Sequence, residues 1–194
     1  ETDIVNKEMF SWVDQSGTSL SLKPELTAPV ARAYIQHQLK NKNPIHRLYY
    51  IDTLFRRERP QKGRQRQFYQ FGVEAIGSPN PEQDAEVISI AYHIYQELDI
   101  QEMEVHINSI GSRDIRPTYL ELLRKTLDKY RGELCKTCES RLKKNALRIF
   151  DCKNPECQEI IDEKAPYIFD YISADDSQHF DSVTRILTEM NIPF

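Results

Sequence analysis

The sequence predicts an α+β protein, in which an antiparallel β-sheet with flanking helices gives way to a mostly helical insertion. Three observations predict it. Two runs rich in aromatic and β-branched residues, 47–55 and 66–76, are joined by a polar loop with Pro60 and Gly63, the pattern of a long antiparallel hairpin. Helix-start signals stand on either side of that hairpin, at Thr27 with Pro29 and at Asn80 with Pro81, because Thr and Asn cap helices and Pro suits the first turn. Beyond residue 112 helical spacing takes over, around all four cysteines.

In order along the chain, Met9 to Val13 and Ser19 to Leu22 read as short strands around an Asp14-Gln15-Ser16-Gly17 turn. A helix capped by Thr27 is expected to run to about Leu39. After the hairpin, the helix capped by Asn80 has Val87, Ile88, Ala91, Ile94, Tyr95 and Leu98 as its apolar stripe. Glu104 to Asn108 alternates like a strand and ends at Ser109-Ile110-Gly111. A further helix carries Leu120, Leu123, Leu127 and Tyr130 on one side. The last helix starts at a capping box, Ser173-Ala174-Asp175-Asp176, and is expected to bury Phe180, Val183, Leu187 and Met190. The domains expected are therefore a β-rich part, 1–112, a helical insertion, 113–190, and the start of a return strand, 191–194. The chain opens at Glu1-Thr2-Asp3-Ile4 without a leader, and both ends read as cut from a longer chain.

Composition narrows the function. Hydrophobic residues make up 39% and charged residues 29%, which fits a soluble globular protein, and no apolar run is long enough to span a membrane. A net charge of −4 excludes a surface that is basic everywhere, so any nucleic-acid contact must use a local patch.

The hairpin carries the strongest chemical signal. Side chains alternate between faces along a strand, so Tyr49, Ile51, Thr53 and Phe55 share a face with Tyr69, Phe71, Val73 and Ala75. That apolar face is expected to pack on the core. The opposite face gathers Arg56, Glu58, Gln70 and Glu74 around the ring of Phe68. From Arg56 to Arg66 there are six basic residues and one acid, Glu58, a local charge of +5. Arginine clamps phosphate oxygens in bidentate fashion and an aromatic ring stacks on a base, so a nucleoside triphosphate suits this face; a solvated run of surface charge is the alternative.

Phe55-Arg56-Arg57-Glu58, Arg59-Pro60-Gln61-Lys62-Gly63-Arg64 and Arg66-Gln67-Phe68-Tyr69-Gln70-Phe71-Gly72 resemble motif 2 of class II aminoacyl-tRNA synthetases. The continuation through Val73-Glu74 resembles the histidine-specific members. Leu22-Lys23-Pro24-Glu25-Leu26-Thr27 resembles their histidine-binding segment, with Lys23 at a position that is usually arginine. Asn145-Ala146-Leu147-Arg148-Ile149-Phe150-Asp151 resembles their insertion domain.

The resemblance implies a class II antiparallel sheet and ATP-dependent activation of histidine, followed by transfer to tRNA(His). It implies that Arg56 bridges the α-phosphate and the substrate carboxylate as the catalytic cation. Glu58, Arg64 and Phe68 join Arg56 in binding ATP: Glu58 near adenine, Arg64 on the distal phosphates, Phe68 under the ring. Glu25, Thr27 and Gln70 hold the α-amino end of histidine, and Glu74 faces its imidazole. Mg²⁺ accompanies the triphosphate. A homodimeric, cytoplasmic parent enzyme is implied, with no membrane. Lys143, Lys144 and Arg148 are placed to touch tRNA phosphates. Motif 1, the second histidine signature with motif 3, and the anticodon-binding domain have no counterpart here, so the chain alone is expected to have little or no synthetase activity.

Cys135-x2-Cys138 and Cys152-x4-Cys157, separated by 13 residues, can form a tetrahedral thiolate site for structural Zn²⁺; reduced, partly buried thiols are the other reading. The five histidines have no ligand spacing. Two other functions fit parts of the pattern: a non-catalytic synthetase-like regulatory subunit of histidine biosynthesis, and a cysteine–zinc RNA-binding module. The first would be expected to lose the ATP set, which is complete here. The second would need stoichiometric zinc and no affinity for ATP.

Overall fold

The computed structural model describes residues 8–59, 61–100 and 102–194; Glu1-Thr2-Asp3-Ile4 and Pro60 lie outside them. The fold is α+β, with strands β1 (Ser11–Val13), β2 (Ser19–Ser21), β3 (His46–Phe55) and β4 (Gln67–Ile76). Its helices are α1 (Thr27–Gln36), α2 (Pro81–Glu97), α3 (Ile115–Leu127), α4 (Lys136–Lys144), α5 (Pro155–Lys164) and α6 (Ala174–Glu189). Two compact units divide between Ala91 and Tyr92, inside α2. No described helix is long and apolar enough to cross a membrane.

In the first unit β1 and β2 pair antiparallel around a turn closed by Asp14, whose Oδ1 accepts from the N–H groups of Ser16 at 2.8 Å and Thr18 at 2.9 Å. The hairpin is fully paired, from His46 opposite Ile76 to Phe55 opposite Gln67. Helix α1 ends at Gln36, short of the expected Leu39, and Thr27 does not cap it. Glu25 does so instead, its carboxylate accepting from the Ala28 N–H at 3.1 Å, which satisfies one orphan donor of the first turn.

Three expectations fail in this part of the chain. The apolar hairpin face does not pack on a core: Tyr49 is 75% exposed, Ile51 68% and Tyr69 76%. The polar face is the sheltered one, with Leu54 fully buried on it. Alternation distinguishes two faces but does not say which is covered. Helix α2 buries Gln83, Ala85 and Ser89, while Ala91, Tyr95 and Leu98 of the expected stripe are exposed; Gln83 and Ser89 are sheltered with their polar groups bonded to Glu86. Glu104 to Asn108 forms no strand, because an alternating segment needs a hydrogen-bonding partner alongside, and none flanks it among the described residues.

The second unit is built on one apolar cluster. Tyr119, Leu123 and Leu127 of α3 meet Cys138 and Leu142 of α4, Ile149, and Cys157 and Ile161 of α5. Tyr130 lies past the end of α3, in a 3₁₀ turn, Asp128–Glu133. Helix α6 buries Val183 and Leu187 but leaves Met190 39% exposed, because Met190 stands at its C-cap. Residues 192–194 form no strand.

The capping box of α6 is complete, Ser173 Oγ accepting from the Asp176 N–H at 3.0 Å and Asp176 accepting from the Ser173 N–H at 3.3 Å. Burial pushes the Asp176 carboxyl up, but bonds from the Ser173 hydroxyl and the Ser112 N–H outweigh it and hold the group below its ordinary value. A depressed carboxyl stabilises the fold above its unfolded pKa and ceases to as pH falls through the folded one. Ser173→Ala is therefore expected to cost about 1 kcal/mol at neutral pH, read as a lowered urea midpoint. The deficit should shrink in acid, and a deficit of the same size at both pH values would contradict this account.

Candidate functional site

The hairpin brings most of the sequence-predicted residues together. Cross-strand partners Leu48 and Glu74, Tyr50 and Gly72, Asp52 and Gln70, and Leu54 and Phe68 fall on one face by the register of β3 and β4. Phe68, Gln70 and Glu74 therefore share that face. Arg56 joins them just beyond β3. Its backbone N–H donates to the Arg66 carbonyl at 2.9 Å, continuing the ladder, and its guanidinium carbon lies 5.1 Å from the centre of the Phe68 ring.

The segment with Glu25 and Thr27 is tied to the same end of the hairpin. The Phe55 N–H donates to the Lys23 carbonyl at 3.0 Å, and Arg56 Nε donates to the Pro24 carbonyl at 2.9 Å. That second bond fixes the plane of the guanidinium and thus the direction of its other donors. Lys23 Nζ pairs with the Asp52 carboxylate, and this hydrogen bond holds the Asp52 carboxyl below its usual range. Lys23 therefore keeps the charge that the usual arginine supplies, and uses it to anchor the segment. Glu25 contacts the start of α1, so the structure gives it a local structural task as well.

In the loop, Glu58 and Arg64 pair at 3.1 Å, with Arg64 the more exposed partner, and Arg66 Nε donates to the Glu58 carbonyl at 3.3 Å. The turn closes through reciprocal bonds between Gln61 and Arg64, with Gly63 at a φ of 79° that favours glycine. The loop is thus a braced turn carrying cations and not a loose charge run.

One polar atom of this face is unsatisfied. Gln70 Oε1 is buried and has no hydrogen-bond partner. A buried acceptor without a donor costs about 1–3 kcal/mol, so such an atom invites a ligand donor.

Sequence reasoning missed Tyr50. The end of its ring lies against Gly72, so closely that a Cβ built on Gly72 would stand 2.2 Å from Tyr50 Cζ. Glycine inside a strand is the signal that could have found it, since it marks a close approach.

In the second unit the four cysteines converge. Their sulfurs all lie within 4.8 Å of one another, three of the residues being buried. Cys135 Sγ and Cys152 Sγ are 3.9 Å apart, and the Cys135 N–H donates to Cys157 Sγ at 3.2 Å. The backbone N–H of Cys138 brings the Cys135 thiol down to about 7, whereas burial pushes the Cys138 and Cys157 thiols up.

Known proteins share this architecture. A family model described as histidyl-tRNA synthetase matches residues 1–136. A histidine–tRNA ligase from Dehalococcoides mccartyi is 44% identical over 193 residues, covering 100% of this chain and 46% of the relative. One from Moorella thermoacetica is 46% identical over 193 residues, covering 100% of this chain and 45% of the relative. The crystal structure of apo S. aureus histidyl-tRNA synthetase superposes with a TM-score of 0.73 at 34% identity, over 99% of this chain and 44% of that one. A Bacillus halodurans structure titled ATP phosphoribosyltransferase regulatory subunit/histidyl-tRNA synthetase has a TM-score of 0.59 at 22% identity, over 98% and 52%, a likeness of fold alone. The chain spans about half the length of the relatives it resembles. With the family model covering well over half of its residues, the chain belongs to the histidyl-tRNA synthetase family.

Proposed function

We propose that the protein carrying this chain condenses histidine with ATP to histidyl-adenylate and pyrophosphate, then transfers the histidyl group to tRNA(His). The observation that carries the reading is the unsatisfied Gln70 Oε1, on the face shared by Arg56, Phe68 and Glu74. An α-ammonium group supplies the donor that this atom lacks, with Glu25 and Thr27 on the adjoining segment as further partners. Glu74 accepts from an imidazole N–H, a contact that apolar amino acids cannot repeat.

Arg56 bridges the α-phosphate and the attacking carboxylate. Two anions must meet for the carboxylate oxygen to bond to phosphorus as pyrophosphate leaves, and a preorganised cation lowers that barrier. The carboxylate is already ionised, so no general base is needed. Phe68 stacks under adenine, Glu58 stands near it, and Arg64 reaches the distal phosphates on the braced turn. Mg²⁺ enters with the triphosphate, as such ions usually do, held largely by the phosphates and water. Residues 1–112 form the catalytic part, 113–190 the insertion that lies against tRNA through Lys143, Lys144 and Arg148, and 191–194 lead back to the catalytic part. The full-length protein acts as a cytoplasmic homodimer.

The test is histidine-dependent ATP–pyrophosphate exchange by the full-length protein, with calorimetry against histidine, histidinol and ATP. Exchange with histidine alone among the amino acids is expected. Absence of both exchange and histidine binding in a folded full-length protein would sink the reading. The 194-residue chain by itself is expected to give little or no exchange, and a robust rate from it would refute that part.

A further inference from the structure

We propose that Cys135, Cys138, Cys152 and Cys157 bind one zinc ion as a tetrathiolate that joins the N-terminal ends of α4 and α5. The inference stands apart from the catalytic reading and needs no residue of the hairpin.

Four sulfurs bound to zinc at about 2.3 Å in a tetrahedron stand about 3.8 Å from one another. Here no pair exceeds 4.8 Å, and Cys135 and Cys152 are already at 3.9 Å. The four sulfurs thus outline a volume for a single ion, and a modest inward movement completes the shell. Disulfides would divide the group into two bonded pairs, each drawn to about 2 Å; the observed cluster has no such division. Thiols used only as apolar filler have no reason to meet each other, because any aliphatic neighbour serves as well.

The backbone around the cluster suits negative sulfur. Cys135 is the N-cap of α4 and Cys138 lies in its first turn; Cys157 lies in the first turn of α5, and Cys152 closes the 3₁₀ turn Ala146–Asp151. Helix N-termini present N–H groups and positive dipole ends, which favour thiolate over thiol. The Cys135 N–H already donates to Cys157 Sγ at 3.2 Å. Zinc binding would release the remaining thiol protons to solvent. Zinc suits the site better than calcium or magnesium, which take oxygen ligands. Its role would be structural, since four protein ligands leave no open position for substrate.

The experiment uses full-length protein purified under reducing conditions and supplied with zinc, then freed of loose metal by gel filtration. Elemental analysis is expected to give about one zinc per chain, and cobalt(II) exchange the intense visible bands of a tetrahedral tetrathiolate. Cys135→Ser, at the least buried of the four positions, is expected to lose those bands and to lower the melting temperature, while wild type treated with a chelator melts at the same lowered value. Metal-free protein with all four thiols open to a thiol reagent would overturn the proposal, as would a mass lower by four hydrogens from two disulfides. Retention of metal and spectrum by Cys135→Ser would overturn it equally. The wild-type metal content decides the matter even if the variant fails to fold.

Discussion

Arg56→Ala in the full-length protein is expected to lower kcat for histidine-dependent pyrophosphate exchange by about 100- to 1000-fold, with folding intact. The magnitude follows from removing one preorganised group aimed at transition-state charge, which costs about 2.7–4 kcal/mol. The structure gives two reasons to expect the upper part of that range. Arg56 is held by the Pro24 carbonyl at 2.9 Å and by the Phe68 ring at 5.1 Å, so its orientation is set before substrate arrives. It also stands where the segment with Lys23 and Pro24 meets the hairpin, so under the proposed function both anions would reach it. Arg56→Lys keeps the charge but loses the planar fork, and should fall between wild type and alanine. Phe68→Ala should raise the KM for ATP more than it lowers kcat, because stacking on a base is the same in ground and transition states. Exchange by Arg56→Ala within about threefold of wild type, against the hundredfold loss expected, would remove Arg56 from the reaction.

Leu127→Ala is expected to destabilise the second unit by about 2–5 kcal/mol. Leu127 is fully buried and closes α3 against a cluster made by Leu123, Leu134, Cys138, Leu142 and Ile149. Removing its branched end leaves a void that the surrounding helices can fill only in part, because they are pinned by other contacts. One is Arg124 Nε, which donates to the Leu142 carbonyl at 3.0 Å and holds the C-terminal turn of α4 to α3. Hydrogen exchange read by mass spectrometry should show protection falling across 115–164 and largely unchanged in the hairpin. A loss below about 1 kcal/mol would mean that the helices close the gap.

The hairpin, and the sharing of one face by Phe68, Gln70 and Glu74, were legible in the sequence, because a long two-stranded pairing leaves a period-two record. The limits of β3 and β4 fall within a residue of those expected. The capping box of α6 was equally plain, since it rests on four consecutive residues. What could not be read was which hairpin face is sheltered. Tyr49, Ile51 and Tyr69 are as apolar as core residues and yet open to solvent; coverage depends on elements remote in sequence, and alternation carries no information about them. Helix α2 misled for a related reason. Its inner surface uses Gln83, Ala85 and Ser89, and a search for large apolar residues passes over polar and small ones.

At the candidate site, types and spacing anticipated which side chains lie near one another but not the bonds between them. Thr27 looked like the cap of α1, and the carboxylate of Glu25 took that place. Lys23 was legible as a preserved charge but not as the partner of Asp52 across 29 positions of chain. The cysteines gave their count and two spacings, whereas the convergence of all four sulfurs required the helices to fold first.

The phenol of Tyr50 laid against Gly72 couples two positions that share no chemistry. With the Tyr50 ring where it stands, even a methyl at 72 would have to occupy its space, 2.2 Å from Cζ, so a side chain there forces the ring to move. Drift at 72 is therefore closed to single steps while the ring keeps its place. A larger residue at 72 becomes admissible only in a lineage that has already exchanged the ring for something smaller, so a survey of descendants should find the two letters changing as a couple.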